Sequence, residues 1–357
     1  MAVTNESPAP PGAQASGGRV RILLRRWLTI RERPSALESA AASALCILII
    51  LFLWYLLTAG PPQERIIDPI TLPSVSDTIN SFPRLWFDRA VARSAMWSLG
   101  RVIGGFMLAA AIAVPLGVLS GSFLRLNAFL KPISIFGRNV PVAALIPLTL
   151  MWFGLGETQK VMFIFFASVA FVLFDSANAV QGLSNSYLDA AYTLGARVAP
   201  KRGAMKALVA AMIYAAALLL AYAFLARRPG PNDADLWSAW YRQFAFMGVF
   251  GFGLGFLLWF PIFSYQAIEK VLLALAMPDI VNSLRLLFGL AFGYIMLAEV
   301  INAEFGLGAI INMSQRQGPR EHIYLVLILI ALLAFAIDRT IIAAQRWLFP
   351  YRPMGEQ

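Results

Sequence analysis

The chain has 357 residues, 59% of them hydrophobic and only 13% charged, with a mean hydropathy of +0.69. A soluble domain is about half apolar and about a quarter charged, so this composition excludes an ordinary soluble protein and indicates an all-α polytopic membrane protein. The net charge of +10 fits a positive-inside bias, and without a basic run interleaved with exposed aromatics no nucleic-acid partner is expected.

Residues 1–38 form the first segment, rich in Pro, Ala, Gly and Ser up to residue 18 and then carrying Arg19, Arg21, Arg25, Arg26, Arg31 and Arg33. It reads as a disordered, basic cytoplasmic N-terminus. Ala40 to Ala59 approaches the ~20 residues needed to span a bilayer and reads as a retained anchor. It opens a segment, 39–96, that continues with a polar, proline-containing extracytoplasmic stretch.

Trp97 to Leu119 is the second span, flexed at Pro115, with Arg125 and Lys131 at its cytoplasmic exit. Arg138-Asn139-Val140-Pro141 leads into Val142 to Phe153, which contains Pro147. Prolines remove helix donors, so this span is expected to be broken or kinked, which a membrane tolerates where protein or a cavity covers the backbone. Gly154 to Glu157 is an outer turn, and Val161 to Val180 the fourth span. The fourth span carries Asp175, whose intramembrane carboxylate makes it a candidate path residue. A helix-paired acid near the interface is the plainer reading.

Ser184 to Lys206 is the longest polar and basic interruption of the second half. Tyr187, Leu188, Ala191 and Tyr192 recur at helical spacing, Gly195 is placed to end that helix, and Arg197, Lys201, Arg202 and Lys206 follow. A short helix, a glycine turn and a basic tail would suit a cytoplasmic docking loop, but on this stretch alone an ordinary positive-inside loop is the better reading. Ala207 to Ala226 and Phe244 to Tyr265 are further spans, joined by a polar turn with Trp237, Trp240 and Tyr241. Gln266 to Arg285 reads as polar and broken at Pro278, and Leu286 to Ile301 as the next span with Glu299 near its end. Glu304 to Glu321 reads as an outer loop and Ile323 to Ala344 as the last span, with Asp338 as its weak point. The total is about eight spans, with both termini cytoplasmic and a short tail at 351–357.

Cys46 and His322 each stand alone, which excludes an internal disulfide, a cysteine metal cluster and histidine-based triad chemistry. No P-loop or Rossmann fingerprint is present, so any ATP must be bound by another chain.

Three stretches in order carry a resemblance. LSNSYLDAAYTLGA (Leu183 to Ala196) resembles the cytoplasmic EAA loop of permease subunits from binding-protein-dependent ABC importers. RNVPVAALIPLTLMWFGLGE (Arg138 to Glu157) resembles the segment one span before that loop, and AEVINAEFGLGAI (Ala298 to Ile310) the end of their penultimate helix. With Leu72-Pro73-Ser74, their order resembles the nitrate, sulfonate and taurine branch. The resemblance implies a type I importer permease core of about six helices at 97–202 and 268–350, with an inserted transmembrane hairpin at 203–267. Asp189, Ala190 and Ala191 then stand at Glu-Ala-Ala, and Gly195 and Ala196 at the motif's turn, so these residues are expected to dock an ATPase. Asp189 is expected to cap or pair at the helix start. Asp175, Glu299, Arg138, Asn139 and Pro141 are the candidate path or gate residues, although capping the outer helix end or holding the fold together is the better reading of Glu299.

The same resemblance implies a chain that is no enzyme and carries no cofactor, since ATP and Mg belong to ABC ATPase partners. It also implies a second permease copy, an extracytoplasmic solute-binding protein, and a bacterial inner-membrane location. The second half of the EAA loop resembles Lys270 to Pro278, beyond the hairpin, which splits the docking element in sequence. The alternative classes are a stand-alone channel or secondary carrier and a membrane-embedded enzyme. No repeat supports a carrier, and no clustered catalytic set supports an enzyme.

Overall fold

The computed structural model describes residues 35–61, 63, 65–225 and 234–351. The expectations for the N-terminal 34 residues, for 226–233 and for 352–357 lie outside the described residues. The described chain is helical, and an isolated bridge between Val198 and Tyr265 is its only β pairing. Among the described residues seven helices are long and apolar enough to cross a membrane, or eight if one bent pair counts as a span.

The described residues divide into two compact units that part between Val75 and Ser76. In the first, α1 (Ala36–Thr58) begins with a capping box, in which Ser35 and Glu38 satisfy each other's backbone N–H groups. The Trp54 indole donates to the Pro73 carbonyl at 3.0 Å, which ties the Leu72-Pro73-Ser74 stretch back onto this helix.

The second unit runs α2 (Val75–Asn80), α3 (Phe82–Phe87), α4 (Val91–Ser122), α5 (Leu124–Asn139) and, after a 3₁₀ turn, α6 (Leu145–Phe153). It continues with α7 (Glu157–Gln181), α8 (Asn185–Thr193), α9 (Pro200–Leu225), α10 (Ala234–Ser264), α11 (Leu273–Asn302), α12 (Leu307–Gln317) and α13 (Glu321–Leu348). The core sits where α4, α7 and α11 meet, around Val102, Phe106, Phe163, Ile164, Phe292 and Ile295. Small residues set the approach of α4 to α7: a Cβ at Gly117 would stand 2.5 Å from that of Ser176, and one at Gly121 2.6 Å from that of Val180. α9 and α10 pair as a hairpin by the same device, with Gly251 and Gly255 against Ala215 and Ala211.

Several expectations change. The segment at 124–139, read only as a cytoplasmic exit, is a helix, and it meets Val142–Phe153 at 91°. The kink at Pro141 is therefore a near right angle. The stretch from Gln266 to Arg285 is not broken at Pro278. A π turn at Ile268–Leu272 runs into α11, giving one span over Ile268–Ile301. Pro278 lacks the N–H that would bond Ala274, and the Tyr351 hydroxyl donates to that freed carbonyl at 2.9 Å. The outer loop at Glu304 to Glu321 contains the helix α12. Asp338, the weak point of the last span, pairs with Arg285 at 3.2 Å.

Candidate functional site: a split docking helix and a buried ionic cluster

The loop after α7 forms α8, nine residues with Ser184 as N-cap, its hydroxyl accepting from Ser186 N–H. Asp189 therefore does not cap the start; it lies mid-helix and exposed, because Ser184 in extended backbone already fills that position. One face of α8 is inward: Ala191 is buried, and Leu188 packs on the cluster of Val180, Ile262, Ile268 and Leu272. The other face is outward, with Tyr187, Asp189, Ala190 and Tyr192 exposed and Leu194 the barest of all at 88%. Gly195, at φ +85°, turns the chain away as glycine alone does without strain. Ala196 donates back to the Ala191 carbonyl at 2.9 Å, closing the turn.

The segment after α8 and the segment that leads into Lys270 to Pro278, far apart in sequence, come together. Ala199 N–H donates to Ser264 O at 2.8 Å, Gln266 N–H to Arg197 O at 3.3 Å, and Arg197 N–H to the Gln266 side chain at 3.2 Å. Lys206 pairs with Glu269 alongside. The ends of the α9–α10 hairpin are thus stitched to each other directly behind α8.

Of the path candidates, Arg138, Asn139, Pro141 and Asp175 gather near the bend. The Arg138 guanidinium lies 3.5 Å over the Phe174 ring, next to Asp175, and Asn139 and Pro141 are exposed at the corner. Arg138 Nε is buried and, among the described residues, has no hydrogen-bond partner. Phe129 and Phe136 on one arm of the bend, and Met151 and Trp152 on the other, are exposed apolar side chains.

Glu299 is elsewhere. Its carboxylate is fully buried and accepts from Ser98 Oγ at 2.7 Å, Arg101 Nη1 at 2.6 Å and Gly308 N–H at 2.9 Å. Arg101 also forks onto Glu157 at 2.5 and 2.8 Å and donates to the Phe305 carbonyl at 2.7 Å. Lys160 completes the set on Glu157 at 2.9 Å. Two carboxylates face two cations, so the cluster is neutral as a whole, which is what burial of charge requires. The Gly306-Leu307-Gly308 stretch fits around it: a Cβ at Gly306 would stand 2.5 Å from the Glu299 carboxyl carbon, and one at Gly308 2.8 Å from its Cβ. Ser98, Arg101, Glu157 and Lys160 were not singled out from sequence. An arginine inside the apolar run from Trp97 to Leu119 was the available signal. α7 runs 25 residues from Glu157 to Gln181 just before α8, so the cluster and the docking helix lie at opposite ends of the bundle.

The profile of the family described as "Binding-protein-dependent transport system inner membrane component" matches residues 113–272. An ABC transporter permease protein of Methanocaldococcus jannaschii is 34% identical over 134 residues, 36% of this chain and 50% of that relative. The taurine transport system permease protein of Escherichia coli is 22% identical, covering 93% of this chain and 94% of its own. The bicarbonate transport system permease protein of Synechococcus elongatus is 23% identical, covering 97% and 98%. A solved structure of the MetNI methionine ABC transporter, inward facing, aligns over 74% of this chain and 97% of its own with a TM-score of 0.48 and 17% identity. Over residues 113–272 the chain thus matches the binding-protein-dependent transport system inner membrane components, and along nearly its whole length it is similar to taurine and bicarbonate transport system permeases.

Proposed function

We propose that this permease lines the translocation path for a small anionic solute and that α8 seats in a separate ABC ATPase whose ATP hydrolysis drives import. One observation carries the docking assignment: α8 is anchored by Leu188 and Ala191, while Tyr187, Asp189, Ala190, Tyr192 and Leu194 stand bare at the end of the bundle. A helix held on one face and bare on the other, with exposed Tyr187, Tyr192 and Leu194, is a surface for a partner groove. The anionic class rests on the taurine and bicarbonate systems among the relatives. A second copy would bring another bend at Arg138 to Pro141 to the path, and an extracytoplasmic binding protein would deliver the solute. In this reading the membrane is the bacterial inner membrane, α8 and both termini are cytoplasmic, and residues 203–267 are a hairpin added to the permease core.

The test is copurification with the ATPase and solute-stimulated ATP hydrolysis in liposomes. Ala190→Arg, on the bare face, should abolish both while the permease still runs as a folded, monodisperse species. Ala191→Arg is a poorer probe, because it would unseat the helix itself. Intact hydrolysis in Ala190→Arg, or solute uptake by this chain alone without ATP, would overturn the assignment.

A further inference from the structure

At the ionic-cluster end, α4, the start of α7 and the end of α9 enclose a half-open groove of about 330 Å³. Its lining includes Trp97, Gly100, Gly104, Val161 and Ala221, with Arg93 at one end and the Arg101–Glu157 ion pair partway along. The floor is made by absent side chains. A Cβ at Gly100 would meet nothing within 4 Å, and one at Gly104 only Val161 Cγ1 at 3.8 Å. Gly105, by contrast, is needed for helix packing, where a Cβ would run into Val161 and Ile164.

We propose that this groove binds one acyl chain of an anionic phospholipid, with the lipid phosphate at Arg93. Three features select this occupant. From Arg93 to Leu108 the groove follows α4 for about 22 Å at 1.5 Å per residue. That is about half of the ~40–45 Å spanned by hydrocarbon and headgroups together, or one leaflet. The cation is free for the phosphate: Arg93 is exposed, its guanidinium 4.1 Å over the Phe305 ring, and among the described residues no carboxylate pairs with it. Arg101 and Glu157 neutralise each other, so the rest of the groove offers none of the convergent polar groups that a small polar solute requires. Trp97 lines the groove one helical turn from Arg93, and indoles favour the membrane interface.

The experiment places the purified full chain in phosphatidylcholine vesicles containing phosphatidylglycerol, with brominated acyl chains on one lipid or the other. The readout is quenching of the Trp97 fluorescence component, taken as the difference between wild type and Trp97→Phe. Brominated phosphatidylglycerol should compete for this quenching roughly five-fold better than brominated phosphatidylcholine, the weight of one arginine at a charged surface. Arg93→Ala should bring that ratio to one, and Gly100→Leu or Gly104→Leu should each cut the quenching by filling the groove. A ratio of one in wild type, or full quenching in both glycine variants, would overturn the proposal. So would a Trp97 component that no brominated lipid reaches, since protein would then cover the groove.

Discussion

The Tyr214 hydroxyl donates to the backbone carbonyl of Ala111, the acceptor that Pro115 leaves without its helical N–H. Tyr351 does the same for Ala274, freed by Pro278. In both spans a tyrosine from a neighbouring segment replaces the missing donor, and in the first case this pins the α9–α10 hairpin to α4. An unsatisfied carbonyl in hydrocarbon is costly, so each proline and its tyrosine form one unit.

That pairing predicts a double-mutant cycle. Tyr214→Phe should cost about 1 kcal/mol of thermal stability in detergent, the worth of one hydrogen bond. In a Pro115→Ala background, where the backbone N–H is restored, the same change should cost close to nothing. Equal costs in both backgrounds would break the link between the two residues.

The ionic cluster predicts a different pattern. Removing one charge of a buried set leaves its partner uncompensated and costs about 3–5 kcal/mol. Arg101→Met and Glu299→Gln should therefore each lower the melting temperature sharply. The double variant, which leaves Glu157 with Lys160, should recover much of the loss. Arg101→Lys should not rescue, because a single ammonium cannot reproduce the fork onto Glu157 together with the contacts to Glu299 and Phe305.

These elements show where the sequence was readable. Long apolar runs marked the spans, and the periodicity of Leu188 and Ala191 with a following glycine marked α8, since both signals are local. The break assigned at Pro278 failed because its remedy is Tyr351, which lies 77 residues away. Likewise Glu299 could be singled out only as an acid near a helix end. Its side-chain donors, Ser98 and Arg101, come from α4, 201 and 198 residues distant, and only packing brings them together. The right-angle bend at Pro141 was legible as a break but not as an angle, because proline removes a donor without fixing where the next helix points.

Glycines separate two costs that sequence alone does not distinguish. Gly154 and Gly306 both have positive φ, +67° and +145°. A Cβ at Gly154 would meet nothing within 4 Å, whereas one at Gly306 would collide with the Glu299 carboxyl group. Gly154→Ala should cost only the backbone strain, about 1–3 kcal/mol. Gly306→Ala should displace Glu299 from its donors and sharply lower the yield of monodisperse protein on size-exclusion chromatography. Similar yields from the two variants would show that the cluster tolerates a displaced carboxylate.

The stitched hairpin ends yield a last prediction, which separates stability from coupling. Lys206–Glu269 is partly exposed, so breaking it with Glu269→Ala should change stability by at most about 1 kcal/mol. Gln266→Ala removes the acceptor for Arg197 N–H behind α8 and should also leave the bulk of the fold intact. If α8 transmits force from an ATPase, its backing must be stiff, because a loosely backed helix moves without carrying the bundle with it. The double variant should therefore hydrolyse ATP with its partner at near wild-type rates while transporting less solute per ATP. A matching fall in both rates would point to lost docking, and an unchanged ratio would show that the stitch plays no part in coupling.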